Sequence, residues 1–177
     1  MWGRAGNRTP ARRILGIDPG SRSTGYGLIE SDGVRSVHLA SGRIAAHDLP
    51  WPQRLGRIFN GVREIVEQFQ PDEVAVEQVF LARNPASALK LGQARGAALS
   101  AVLAGAVAVY EYSTRSVKLA VVGTGGADKT QVEHMVRVLL ALREPLQADQ
   151  ADALAVAICH AHSQRPAPAV AWRLPNR

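Results

Sequence analysis

The segment Arg13-Ile14-Leu15-Gly16-Ile17-Asp18-Pro19-Gly20 constrains the fold of this chain more than any other. Ile14, Leu15 and Ile17 form a short apolar run, the pattern of a strand buried on both faces at the centre of a sheet. Asp18 closes that run, and a carboxylate there is costly to bury without hydrogen bonds, a cation or a metal. Pro19-Gly20 forces a turn, which places Asp18 at the lip of the sheet on a rigid support. Tyr26-Gly27-Leu28-Ile29 reads as a second strand, so the connection is a hairpin. A dinucleotide fold would need a strand-to-helix turn at this point.

The rest of the pattern is that of an α/β domain. Strands are expected at about Ile14–Asp18, Gly25–Glu30 and Val37–Ile44, as an antiparallel meander. A helix opens at Pro52 and runs to about Gln70, with Leu55, Ile58, Phe59, Val62, Ile65, Val66 and Phe69 at helical spacing. Pro71-Asp72 breaks it, and Glu73–Glu77 is the next strand, which again ends in a carboxylate. Val79-Phe80-Leu81 is a short apolar loop before a long helix from about Pro85 to Gly105. That helix is dense in small residues (Ala86, Ala88, Gly92, Ala94, Gly96, Ala97, Ala98, Ala101), which suit either a dimer face or close internal packing. Val107–Tyr110 reads as a fifth strand, and Ser116–Val122 is ambiguous, with a short helix as its one reading. Gly123-Thr124-Gly125-Gly126 is a flexible loop whose amides can approach a phosphate, although it matches no phosphate-loop motif. Asp128 and Gln131 make a capping-box pair for a helix that buries Val132, Met135, Val136, Leu139 and Leu140. Pro145 stops this helix, and a last one runs from about Ala148 to His162.

With 177 residues, 46% of them apolar, the chain suffices for one such domain and not for two large lobes. Residues 1–12 form a basic arm and 165–177 a Pro-rich tail, both expected to be disordered around a domain of 13–164. No apolar run approaches the roughly 20 residues that span a bilayer, and no secretory signal is visible. Cys159 is the single cysteine, which excludes an internal disulfide and fits a reducing cytoplasm. The formal charge of +6 and pI of about 10.2 favour a polyanionic partner, nucleic acid first and an anionic membrane second.

Asp149 and Asp152 stand three residues apart at the start of the last helix and project from one face. Asp149 suits a helix's first turn on electrostatic grounds alone. Asp152 shares its face with Ala155, Val156 and Cys159, an apolar stripe on which a carboxylate needs a cation. Together with Asp18 and Glu77 these make an all-oxygen set, suited to Mg²⁺ or Mn²⁺ and unsuited to zinc. In a basic protein such a set points to two-metal phosphodiester hydrolysis. Cys159-His160-Ala161-His162 is a poor metal site, because residues two apart on a helix do not share a face.

Gly16-Ile17-Asp18-Pro19-Gly20-Ser21-Arg22 with Thr24-Gly25-Tyr26-Gly27, then Glu77-Gln78-Val79-Phe80, then Ser87–Gly96, resemble the RuvC family of bacterial Holliday-junction resolvases. Val121-Val122-Gly123 and Asp149-Gln150-Ala151-Asp152-Ala153-Leu154-Ala155 continue the likeness in order, over about Ile14 to His162. The resemblance implies a ribonuclease-H-like fold with a mixed five-stranded sheet flanked by helices. It implies a cytoplasmic homodimer that nicks two opposing strands of a four-way DNA junction, leaving 5′-phosphate and 3′-hydroxyl ends. Asp18, Glu77, Asp149 and Asp152 fall on the family's metal-binding positions, the third of which is histidine in some relatives. Two Mg²⁺ ions per subunit, replaceable by Mn²⁺, and docking to the RuvA–RuvB branch-migration complex are implied likewise. Lys118 and Lys129 match basic positions that hold the scissile phosphate, and Phe80 an aromatic that meets bases at the opened junction. Arg83, Lys90 and Arg95 read as a DNA-facing stripe because they cluster near Glu77, with surface solubility as the alternative.

Two rivals remain. An actin-like or sugar-kinase ATPase also uses Gly-Ile-Asp-x-Gly, but needs two lobes and further phosphate motifs. A non-catalytic junction-binding module would need no carboxylate set.

Overall fold

The computed structural model describes residues 10–78 and 84–163. In chain order its elements are β1 (Arg12–Asp18), β2 (Ser23–Ser31), β3 (Ser36–Ala45), α1 (Trp51–Phe69), β4 (Glu73–Glu77), α2 (Pro85–Ala104), β5 (Ala108–Tyr112), α3 (Thr114–Val122), α4 (Lys129–Leu139) and α5 (Ala148–His162). The strands form one sheet in the order β3-β2-β1-β4-β5. β1, β2 and β3 are antiparallel, whereas β4 pairs parallel with both β1 and β5. The mixed five-stranded sheet flanked by helices is therefore present, with β1 at its centre as its apolar run requires.

Because β1 and β4 are adjacent and parallel, their C-terminal carboxylates Asp18 and Glu77 emerge at the same edge of the sheet. One face of the sheet packs on α5, α3 and α4 around Ile14, Ile29, Ala75, Leu154 and Ile158. The other packs on α1 and α2 around Leu15, Leu28, Ile58, Val74, Val76 and Ala98. α5 lies close against β1 and β2 because glycines face it there. A Cβ on Gly16 would sit 2.0 Å from the Ala153 carbonyl oxygen, and one on Gly25 would sit 2.0 Å from that of Asp149. Gly16, Gly25 and Gly27 are thus a seat for the helix that carries Asp149 and Asp152.

Several boundaries differ from the pattern reading. Arg12, assigned to the arm, is the first residue of β1 and is bonded to Glu73. The fifth strand is shifted C-terminally to Ala108–Tyr112, since its register follows β4 and not its own apolar run. Ser116–Val122 belongs to a helix that starts earlier, at Thr114, where the Ser113 side chain caps it. Gly123 ends that helix at φ 83°, so its place in the glycine loop is set by helix termination. The Asp128–Gln131 capping box is formed as expected. In α2 the small residues divide: Ala94, Ala98 and Ala101 are buried inside, while a Cβ on Gly92 or Gly96 would meet nothing within 4 Å. Residues 1–9 and 164–177, most of the basic arm and the Pro-rich tail, lie outside the described residues, as do Phe80 and Arg83.

Candidate active site

Asp18, Glu77 and Asp152 line one cleft of about 280 Å³ with Lys118, Lys129 and Thr114, walled by Val117, Val132 and Ala155. Its size admits a phosphodiester group and is many times the roughly 10–15 Å³ that one water needs. Each carboxylate arrives on a rigid element: Asp18 from β1, Glu77 from β4, Asp152 from α5. Asp149, one turn before Asp152, does not line the cleft; Ser23 Oγ donates to its Oδ2 at 2.5 Å. It remains close enough to act on Asp18 through its charge.

Asp18 is the electrostatic centre. Burial, then the charges of Asp152, Glu77 and Asp149, push its pKa up to about 7, with Lys129 opposing them. Lys129 Nζ lies 2.9 Å from Asp152 Oδ2, and this bond and charge raise the lysine's own pKa. Thr114 Oγ1 donates to Glu77 Oε1. Among the described residues no three of these carboxylates are drawn tightly enough to form a closed cation shell. Their side chains are held instead by Thr114, Ser23 and Lys129. The donor set still fits a hard divalent cation: all ligating atoms are oxygens, and the negative charge outruns the nearby lysines.

Ser23 and Thr114 went unnoticed in the sequence. They lie 126 and 37 residues from the carboxylates they hold, and an isolated hydroxyl carries no pattern. Lys90 stands apart on α2, its Nζ 5.5 Å above the Trp51 ring. Arg95 also stands apart. Its Nη1 donates to the Glu77 main-chain oxygen at 2.6 Å and its Nη2 to Glu111 Oε1 at 2.5 Å. With only 14% of its side chain exposed, it is not a surface cation. His160, set aside as a metal ligand, is buried; its Nε2 donates to Glu73 Oε2 at 2.8 Å and its Nδ1 lies 2.6 Å from the Tyr112 hydroxyl. Burial pushes the Glu73 carboxyl upward, but His160 and Arg12 outweigh it and hold it below the usual range.

A sheet with a β1–β2–β3 meander, a parallel β4, and acidic groups converging from β1, β4 and a helix laid across them defines a ribonuclease-H-like nuclease. The sequence matches the family described as crossover junction endodeoxyribonuclease RuvC over residues 14–160, and the chain belongs to that family. It is 58% identical to the RuvC of Marinobacter nauticus over 149 residues, 84% of this chain and 85% of that one. Its structure is similar to Thermus thermophilus RuvC in complex with a Holliday junction substrate, with TM-score 0.79 and 37% identity, covering 85% of this chain and 93% of the other. The yeast mitochondrial Holliday junction resolvase shares the fold at TM-score 0.61 and 13% identity, covering 89% of this chain and 82% of its own. The chain is thus an endonuclease of DNA recombination and repair, a hydrolase acting at crossover junctions. No described helix is long and apolar enough to cross a membrane.

Proposed function

We propose that the chain resolves four-way DNA junctions by paired, symmetric, Mg²⁺-dependent nicks, with Asp18, Glu77, Asp149 and Asp152 as the metal-binding carboxylates. The observation that carries this reading is the meeting of Asp18, Glu77 and Asp152 with Lys118 and Lys129 in one cleft. Two Mg²⁺ ions, or Mn²⁺ in their place, would supply the charge that activates the attacking water and stabilises the leaving oxygen. Asp18, whose charge is disfavoured by its surroundings, is the group that gains most from such a cation. Asp149 joins the set by turning from Ser23, a rotation within one helical turn of Asp152. Lys118 and Lys129 hold the scissile phosphate; when Lys129 engages it, Asp152 is released to the cation. Lys90 meets phosphates away from the cut, and Phe80, three residues beyond Glu77, stacks on a base at the opened crossover. Arg83 belongs with it as a backbone contact.

Two matched cuts need two matched sites, and a two-fold homodimer supplies them. On α2, Leu89, Gly92, Gly96 and Leu103 share a stripe; Leu89 is 65% exposed and Leu103 36%. That stripe is the proposed dimer face. The uncut junction is handed to the dimer in the cytoplasm by the RuvA–RuvB complex.

The test is substitution. Asp18→Asn and Asp152→Asn should each lower junction cleavage by about 10²–10³-fold or more, since a metal ligand acts in the transition state. Junction affinity, measured in EDTA, should hold or improve, because negative charge near phosphates is removed. A well-folded Asp18→Asn protein that no longer binds junctions would contradict the assignment.

A further inference from the structure

The Arg95 guanidinium reaches the active site by a route that neither metal nor DNA binding explains. Along β4, Ala75 is packed in the core shared with α5, whereas Val74 and Val76 are packed in the core shared with α2. Strand alternation then sends the Glu77 side chain to the α5 side, where the cleft is. Arg95 comes from α2, on the opposite side of the sheet. Glu111, paired in register with Val76, lies on that side with Val109. Arg95 therefore grips the main chain of Glu77 from beneath the sheet, while Thr114 holds its side chain from above.

The grip falls where β1 stops holding β4. The β1–β4 pairing ends at Ile17↔Val76, one residue short of Glu77. Beyond it β4 is held on the β5 side, where Glu77 pairs with Tyr112 and the Gln78 amide donates to the Tyr112 oxygen at 2.7 Å. A planar fork with one prong on a carbonyl and the other on a carboxylate fixes both position and direction. We infer that Arg95 is a positioning residue: with Glu111 as its anchor, it sets the end of β4 and thereby the place from which Glu77 meets the divalent cation. This inference rests on the metal-binding reading of Glu77. It replaces the DNA-facing role that the charge pattern suggested for Arg95.

The two roles part company at Glu111. An acidic residue cannot be a phosphate contact, so a DNA role for Arg95 predicts that Glu111→Ala is harmless to metal binding. The brace predicts that Arg95→Lys and Glu111→Ala behave alike. Calorimetric titration of Mn²⁺ into the DNA-free protein should show affinity about 10–100-fold weaker in both variants, the usual effect of losing a group that orients a metal ligand. Junction affinity in EDTA and its salt dependence should match those of the unaltered protein. Should Glu111→Ala fail to fold, Glu111→Gln removes the charge at nearly constant shape and carries the same expectation. Weakened junction binding with a shallower salt slope in Arg95→Lys alone would return Arg95 to DNA. Mn²⁺ affinity unchanged in both variants would reduce the brace to packing. If the unaltered protein itself takes up no Mn²⁺, the metal-site reading fails first, and the brace with it.

Discussion

At the scale of single residues, Asp18 concentrates the conflict between folding and function. Its pKa is raised from 3.8 to about 7, so the folded protein holds more protons than the unfolded chain across that window. Stability therefore falls as pH rises from about 4 to 7, and the cost persists above it. Without metal at pH 8, Asp18→Asn should melt higher than the unaltered protein. The gain is on the order of 2–4 kcal/mol, or about 5–10 °C for a chain of this length. Adding Mg²⁺ should narrow or reverse the gap, because the cation relieves in the unaltered protein what the substitution relieves in the variant. Thermal melts in EDTA and in Mg²⁺ measure both. An Asp18→Asn protein that melts lower in EDTA would mean the carboxylate is not under charge stress. The convergence of Asp18, Glu77 and Asp152 was legible because a carboxylate that ends an apolar strand, or stands on an apolar helix face, violates the local pattern. The bonds of Arg95 to Glu77 and Glu111 were not legible for the complementary reason: a basic residue on a helix looks alike whether it faces solvent or a carbonyl, and only the packing of α2 on the sheet decides.

At the scale of elements, the seating of α5 converts glycines into site geometry. Gly25→Ala would place a methyl carbon 2.0 Å from the Asp149 carbonyl oxygen and 3.0 Å from its Cβ, so the first turn of α5 must lift. Overpacking of this kind costs about 1–3 kcal/mol. Displacing a catalytic group by about 1 Å is enough for a rate loss on the order of 100-fold. Gly56→Ala is the control: on α1 a Cβ there meets nothing within 4 Å, and stability should hold or rise slightly. Equal cleavage by the Gly25 and Gly56 variants would show that α5 does not need the glycine seat. The strands β1 to β4 and helices α1, α4 and α5 were readable to within a few residues, because periodicity, prolines and the Asp128 cap mark them. β5 and α3 were not. β5 is short and takes its register from β4, and the start of α3 is fixed by a single serine cap.

At the scale of the whole molecule, the charge of +6 and the proposed paired cuts both point outward, to DNA and to a second copy. The exposed α2 stripe through Gly92 and Gly96 should carry the two-fold contact. Sedimentation at micromolar concentration should give a dimer, and Gly96→Lys should shift it toward monomer without lowering its melting temperature. A monomer with and without DNA would remove the proposed interface. The family was legible from ordered motifs spread over about Ile14 to His162. Which small residues of α2 face outward was not, since a stripe of them serves internal and external packing equally until burial divides it. The most direct test of the central claim is incubation of the protein with an end-labelled four-way junction, and separately with plain duplex, each with and without Mg²⁺. The expected result is paired nicks at symmetric positions in the junction only, only with Mg²⁺, leaving ends that DNA ligase reseals. Junction binding without cutting in any divalent cation, or equal cutting of plain duplex, would contradict it.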